Sequence, residues 1–200
     1  SRSPLSQELE KQLLSKLEEA AEDADVLIVC DQLQNGCITP AVMERVSRMG
    51  RSMTVVADSR DRVGEFRNAI IKPNEIEACR CLGMDASAAS DIDIMKQAAL
   101  ILSQRTGCPA LVTLGARGVV FAHNGKALLE PAYPVPPPID FVGAGDAFLA
   151  GFSAVCSLGL PPQTALSFSN LVPAVTIRKI GTTGTASPEE LREAFCRYQA

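Results

Sequence analysis

The sequence predicts an α/β fold, with three layers in the order α/β/α around a mostly parallel, twisted sheet. Short, continuous apolar runs alternate along the chain with longer segments whose apolar residues recur at helical spacing. Strands that are apolar throughout are typical of parallel sheets, which helices cover on both faces. The 200 residues, 46% of them hydrophobic, are enough to bury one core, so we expect a single domain over residues 1–200.

In the first half of the chain, the predicted strands end at polar residues. An apolar run after a first amphipathic helix ends at Asp31, and the next run ends at Asp58. Because ligands of parallel sheets bind beyond the carboxyl ends of the strands, we expect a site there. The predicted elements, in order, are a helix over 5–24, a strand over 24–31, a helix over 39–50, strands over 52–60 and 69–71, a helix capped by Asn74, and a helix over 91–105.

The second half of the chain predicts short strands followed by three helices. Residues 109–133 contain three apolar runs separated by glycine turns, and Asn124-Gly125 is typical of a hairpin turn. After a proline-rich connector, residues 145–159 predict a helix rich in small residues. The next helix contains Pro173, where we expect a kink, and residues 187–199 predict a capped, exposed last helix.

Composition excludes several classes of function. The net charge of -4, with both signs interspersed, gives no reason to expect a nucleic-acid partner. No apolar run approaches the length of a membrane span and no signal core is present, so we expect a cytoplasmic protein without a membrane partner. Seven cysteines without a C-x-x-C pair, together with one histidine, predict reduced and mostly buried thiols rather than a metal site.

The stretch DFVGAGDAFLAGF, residues 140–152, carries the clearest chemical signal. Gly143 and Gly145 let the backbone approach a ligand closely, and the following helix leaves its first amides unpaired. Those amides attract an anion, typically a phosphate. A carboxylate at Asp146 would repel that phosphate unless it accepts a proton from a hydroxyl that attacks phosphorus. Taken alone, the motif is better explained by Asp146 as a carboxylate that only caps the first turn.

Two weaker motifs accompany this stretch. VTLGARGVV puts Thr113 and Gly115 just after a strand, where they would meet phosphates or ribose, although a glycine hairpin explains them equally well. KPNEIEA puts Asn74 and Glu77 on one face of a helix start, where they would hold the water shell of Mg²⁺. An N-cap with a surface glutamate is the simpler explanation of that pair alone. The sequence has no P-loop, dinucleotide-binding fingerprint or G-x-S-x-G motif.

Together these motifs resemble the ribokinase-like family of carbohydrate kinases, also called PfkB, in the family's order and over essentially the whole chain. DFVGAGDAFLAGF resembles the family's second signature, KPNEIEA its Asn-x-x-Glu magnesium motif, and VTLGARGV its nucleotide-phosphate strand-turn. The segments VVADSR, KPNE and RKIGTTGTASPEEL are similar to the branch that includes the heptose-phosphate kinases of ADP-heptose synthesis.

The resemblance implies an ATP-dependent sugar kinase with Asp146 as catalytic base, acting on a sugar or sugar phosphate. It implies Mg²⁺ positioned through water by Asn74 and Glu77, with Asn74 also beside the nucleotide. The remaining implied roles are an anion hole of the amides of Gly143, Ala144 and Gly145, a lining of the ATP phosphates by Thr113, Gly115 and Gly118, an adenine contact at Asn170, and a monovalent-cation (K⁺) site at Asp140 and Gly181.

Two features depart from the family pattern. Phe141 stands where the family usually has a threonine, beside the implied cation site. Family members also have an N-terminal part with a Gly-Gly sugar motif and a small β-lid, through which they often form homodimers, and neither is found here. We therefore expect roughly the C-terminal two thirds of the kinase fold, a partial enzyme truncated at the N-terminus. The alternative is a non-catalytic nucleotide-binding or interaction module on the same scaffold.

Overall fold

The structure is a computed structural model that describes residues 4–199. Its helices and strands alternate as the sequence predicts, with short 3-10 turns between some of them. The elements, in order, are α1 (Gln7–Ala21), β1 (Val26–Asp31), α2 (Pro40–Met49), β2 (Thr54–Ser59), β3 (Ile70–Ile71), α3 (Glu75–Leu82), α4 (Ile92–Thr106), β4 (Ala110–Thr113), β5 (Val119–His123), β6 (Lys126–Glu130), α5 (Ala144–Cys156), α6 (Pro162–Thr176) and α7 (Pro188–Gln199).

The six strands form one sheet in the order β1-β2-β3-β4-β5-β6. The pairings of β1 with β2, β2 with β3 and β3 with β4 are all parallel. The connections on either side of β5 are too short for a parallel crossover, so that end of the sheet is antiparallel. At the β5–β6 turn, Asn124 and Gly125 both have positive φ, 49° and 72°, as the predicted hairpin turn requires. The prediction of a mostly parallel sheet is confirmed.

Two compact units make up the chain. The first contains the described residues up to Val112 together with Val120–Leu128, and the second contains Thr113–Val119 and the described residues from Leu129 onward. The expectation of one domain over residues 1–200 stays a prediction.

In the first unit, the central strands β2 and β4 are buried along nearly their whole length. The largest side chains fully buried around them include Phe66, Met95, Leu102 and Leu111. The edge strand β1 differs from the prediction of strands covered on both faces, because Ile28 is 43% exposed on one face. Edge strands have a neighbour on one side only, so fewer elements cover them.

The second unit is built on α5, α6 and α7. Gly151 lets α5 and α6 approach closely, since a Cβ at this position would lie 2.7 Å from Cγ2 of Val172. The α6 helix runs through Pro173 to its end at Thr176. Helix α7 begins with the predicted cap, in which Ser187 and Glu190 exchange side-chain and backbone hydrogen bonds of 2.8 and 3.2 Å.

All seven cysteines are free thiols, as predicted, but the expectation that most are buried is wrong. Only Cys79 is buried, whereas Cys30, Cys37 and Cys196 are exposed. Their positions explain the difference, because Cys30 lies on the edge strand β1, Cys37 in the loop before α2, and Cys196 in the last helix. Within residues 4–199, no helix combines the length and apolar character needed to cross a membrane.

Candidate active site

Helix α5 begins at a glycine turn that presents unpaired amides. Gly143 has a left-handed backbone (φ 79°) and cannot supply a side-chain cap. The N–H of Ala144 donates to the carbonyl oxygen of Phe141 at 3.0 Å, so this predicted anion-hole amide is already occupied. Among the described residues, the amides of Gly145 and Asp146 donate to no protein acceptor. The first turn of α5 therefore offers two free N–H groups at the positive end of the helix dipole.

The side chain of Asp146 is exposed in that same first turn. Within residues 4–199 its carboxylate forms no hydrogen bond or ion pair with another side chain, and α5 has no side-chain cap. The carboxylate is therefore not consumed by capping, which was the simpler explanation of the motif. An exposed carboxylate beside two free amides can accept a proton from a group held at the helix start.

The loop before α5 is held by Asp140, and the structure brings Asp140 and Gly181 together as the resemblance implies. The two carboxylate oxygens of Asp140 accept the N–H groups of Val142 and Gly181, each at 3.0 Å. These bonds, that of Val142 first, hold the pKa of Asp140 below its ordinary value. Thr183, which no sequence pattern indicates, also approaches this turn, since its Cγ2 would lie 3.2 Å from a Cβ at Gly143. The loop after α6 therefore contacts the glycine turn at two points.

In the glycine turn after β4, residues 115–118, the first glycine faces open space and the last is packed against backbone. Gly115 has positive φ (57°), is exposed, and has no atom within 4 Å of the position that a Cβ would take. Gly118 is buried, and its Cβ would lie 2.1 Å from the carbonyl oxygen of Glu130. Thr113 is half-buried at the end of β4. Of the predicted phosphate-lining residues, Gly115 is thus open to a ligand, whereas Gly118 packs against the chain after β6.

Asn170 lies inside the second unit rather than on an open surface. It is 6% exposed, and its Nδ2 donates to the carbonyl oxygens of Glu130 and Pro131 at 3.3 and 3.0 Å. Gly118 and Asn170 therefore meet the same short segment of backbone. The resemblance implies nucleotide contacts for both residues, but no sequence pattern indicates that both meet residues 130–132.

In the first unit, Asn74 and Glu77 form a reciprocal capping box at the start of α3. The side chain of Asn74 accepts the N–H of Glu77, and the side chain of Glu77 accepts the N–H of Asn74, both at 2.8 Å. Burial raises the pKa of Glu77, and the charge of Asp58 adds to this, against the lowering effects of the Asn74 bond and of Lys72. The second carboxylate oxygen of Glu77 stays outside the capping box.

A buried and a half-buried ion pair lie at the carboxyl ends of the first parallel strands. Lys72 Nζ lies 3.3 Å from Asp58, with both side chains less than 10% exposed. Arg62 donates to both carboxylate oxygens of Asp31, at 3.1 and 2.8 Å, and Ser59 donates to one of them at 2.7 Å. A cavity of about 270 Å³ adjoins this second pair. The sequence predicted polar strand ends but not their partners.

Within residues 4–199, no group of three or more His, Cys, Asp or Glu side chains is arranged to hold a metal ion. Protein ligands of Mg²⁺ are often only one or two carboxylates, the rest being water and phosphate. The hard oxygen atoms of Glu77 and Asn74 fit such a limited role.

Comparison with known proteins identifies relatives of the chain. The family model described as pfkB family carbohydrate kinase matches residues 2–190. Among curated proteins, the bifunctional protein HldE of Gluconobacter oxydans is 31% identical over 192 residues, which is 94% of this chain and 39% of that protein. The protein of the same name from Trichlorobacter lovleyi is 29% identical, over 96% of this chain and 39% of that protein. The chain spans about two fifths of the length of these relatives.

Solved structures with the same fold include two sugar kinases. Phosphofructokinase-2 from Escherichia coli, in complex with potassium, has a TM-score of 0.79 and 15% identity, covering 98% of this chain and 64% of that chain. Arabidopsis thaliana ribokinase, complexed with ribose and ATP, has a TM-score of 0.70 and 20% identity, covering 96% and 59%. This likeness confirms the predicted ribokinase-like fold.

Proposed function

The chain belongs to the pfkB family of carbohydrate kinases, and we propose that it transfers the terminal phosphoryl group of ATP to a sugar hydroxyl. The start of α5 is the observation that carries this proposal. There an exposed carboxylate, that of Asp146, and the two free amides of Gly145 and Asp146 share one helix turn. Phosphoryl transfer needs such a combination, because the transferred group is anionic while its acceptor must lose a proton.

In this proposal, the glycine turn and the carboxylate act on different atoms. The free amides and the helix dipole hold the phosphoryl group. Asp146 accepts the proton of the attacking hydroxyl, and no neighbouring cation within the described residues neutralises its carboxylate. Gly143 provides the left-handed turn that exposes the amides. Ala144 would join the anion hole only if its N–H released the carbonyl oxygen of Phe141.

Residues after β4 are proposed to bind the nucleotide. Gly115 leaves open space beside an exposed backbone, and Thr113 ends the strand, so both suit contact with the ATP phosphates. Gly118 shapes the turn by packing. Asn170, the implied adenine contact, is buried against the chain after β6, which favours an indirect role.

We propose that Mg²⁺ is held through water near Glu77 and Asn74. The carboxylate oxygen of Glu77 outside the capping box is available for this. When bound, Mg²⁺ would neutralise phosphate charge. We also propose that K⁺ binds near Asp140 and Gly181, where hydrogen bonds from two backbone N–H groups keep the carboxylate charged.

Three further properties are proposed only in general terms: the acceptor sugar, the oligomeric state and the cellular location. The acceptor is a sugar or a sugar phosphate, and the heptose-phosphate branch stays a prediction from the resemblance. A homodimer formed through a lid is likewise a prediction. We propose a cytoplasmic location, because all seven cysteines are free thiols, as in proteins of reducing compartments.

An ATP-consumption assay with a panel of sugars and sugar phosphates tests the proposed function. It should be run on the purified chain and on the complete translated reading frame, each with and without Mg²⁺. We expect sugar-dependent ADP release from at least the complete product. ATP binding without turnover on any sugar would instead favour the alternative, a non-catalytic nucleotide-binding module.

A further inference from the structure

A short segment that begins with the last residue of β6, residues 130–134, is hydrogen-bonded to two helices, and we call it the strap. Asn170 of α6 donates to its first two carbonyl oxygens at 3.3 and 3.0 Å. The hydroxyl of Tyr133 in the strap lies 2.9 Å from that of Ser167, also in α6. Tyr198 of α7 donates to the carbonyl oxygen of Pro134 at 3.0 Å. The strap therefore follows the position of α6 and α7.

The glycine turn after β4 rests directly on the strap. A Cβ at Gly118 would lie 2.1 Å from the carbonyl oxygen of Glu130 and 2.7 Å from the nitrogen of Ala132. The same turn is closed by a 2.8 Å hydrogen bond from the N–H of Leu114 to the carbonyl oxygen of Gly118. Because backbone meets backbone without an intervening side chain, a shift of the strap displaces the turn that carries Gly115.

The donors of Asn170 are all used within the protein. A neutral amide nitrogen has two hydrogens, and the carbonyl oxygens of Glu130 and Pro131 accept from it. The side chain is also 94% buried, with 6% exposed. Asn170 therefore has no hydrogen left to donate to a ligand.

We propose that Asn170 is a positioning residue, which sets the phosphate-binding turn 115–118 through the strap rather than by contact with the nucleotide base. The inference rests on the proposed function, since it assumes that this turn meets the ATP phosphates. A positioning role and a base contact predict different effects on ligand affinity. If Asn170 positions the turn, its loss lowers the affinity for ligands that carry phosphates and leaves the affinity for the nucleoside alone unchanged.

Calorimetric titration of ATP and of adenosine into Asn170→Ala tests this distinction. We expect the ATP dissociation constant to rise about tenfold, as for loss of a positioning hydrogen-bond pair, while that of adenosine changes by less than about twofold. Ser169→Ala is the matched control, because Ser169 is the adjacent buried residue of α6 and donates only to Ala165 in its own helix. It should leave both constants unchanged.

Two further variants keep the test decisive if Asn170→Ala does not fold. Tyr133→Phe removes the hydroxyl contact with Ser167 but keeps the ring, and Gly118→Ala forces a side chain against the strap. Both variants should lower the affinity for ATP more than the affinity for adenosine. An equal loss of affinity for the two ligands, or no loss of affinity for ATP, overturns the inference but leaves the proposed function standing. Failure of the unmodified chain to bind ATP overturns the proposed function and the inference with it.

Discussion

Asn74 and Glu77 cap helix α3 reciprocally, each side chain accepting the other's backbone N–H at 2.8 Å. The pair implied as the magnesium motif is thus also a structural motif. One carboxylate oxygen of Glu77 serves the helix, and the other is left for a second use. The two roles can be separated by substitution, because capping needs an acceptor oxygen whereas a metal site needs a negative charge.

Glu77→Gln should separate capping from metal binding. The amide oxygen still accepts the N–H of Asn74, so we expect no loss of unfolding free energy at neutral pH. Burial raises the folded-state pKa of Glu77, so any stabilisation from its titration is present at low pH and is lost as pH rises through that pKa. The Mg²⁺ concentration for half-maximal ATP turnover should rise about tenfold or more.

Glu77→Ala is the control for that experiment, since it removes the capping acceptor as well. It should lower the unfolding free energy by about 1 kcal/mol. If Glu77→Gln leaves the Mg²⁺ requirement unchanged, Glu77 serves α3 only and the metal role is wrong.

Asp140 should make stability depend on pH in the acid range. Its pKa lies below the ordinary value because its charged form accepts the N–H groups of Val142 and Gly181. The stabilisation is therefore present above the ordinary value of 3.8 and is lost as pH falls through the lower, folded-state pKa. The difference in urea midpoint between the wild type and Asp140→Asn should be clear at pH 6 and should shrink below that ordinary value.

Asp25→Asn serves as a control for charge removal in this experiment, because Asp25 is exposed and lies in the turn before β1. If the difference in urea midpoint between the wild type and Asp140→Asn stays constant down to pH 3, the hydrogen bonds from Val142 and Gly181 do not depend on the charge of Asp140.

Lys72→Ala should be strongly destabilising. It leaves the carboxylate of Asp58, which is 7% exposed, without its partner at 3.3 Å. Loss of one member of a buried ion pair costs about 3–5 kcal/mol. The double variant Asp58→Asn with Lys72→Met should be less destabilised than Lys72→Ala, because no charge is stranded. Denaturant unfolding measures both.

Lys96→Ala is a suitable comparison for that variant. Lys96 pairs with Asp93 at 2.9 Å on the surface of α4, so its loss should cost less than about 1 kcal/mol. Equal costs for the two lysine variants would mean that the pair between Lys72 and Asp58 is solvated in solution.

Local structure could be predicted well from the sequence because its causes are local. The cap at Asn74, the positive φ of the Asn124-Gly125 turn and the order of the elements all follow from neighbouring residues. The exposed position of Asp146 in the first turn of α5 follows from helical spacing in the same way.

Partners far apart in the chain could not be predicted. Arg62 meets Asp31 across 31 positions, and Asn170 meets Glu130 across 40. Such pairs depend on how elements pack, which no local pattern encodes. For the same reason the sequence did not reveal that Gly118 packs against the backbone of residues 130–132.

Asp146→Asn removes the proposed proton acceptor at the start of α5. The asparagine keeps the size of the side chain but cannot accept the proton at neutral pH. Asp93→Asn, an exposed first-turn carboxylate of α4, is the matched control and should leave the rate unchanged. We predict that Asp146→Asn lowers the phosphoryl-transfer rate of the protein translated from the complete reading frame about 100-fold or more. The ATP dissociation constant should stay within about twofold of the wild-type value. An unchanged rate, or a loss of ATP affinity in the same proportion as the loss of rate, would show that Asp146 is not the proton acceptor.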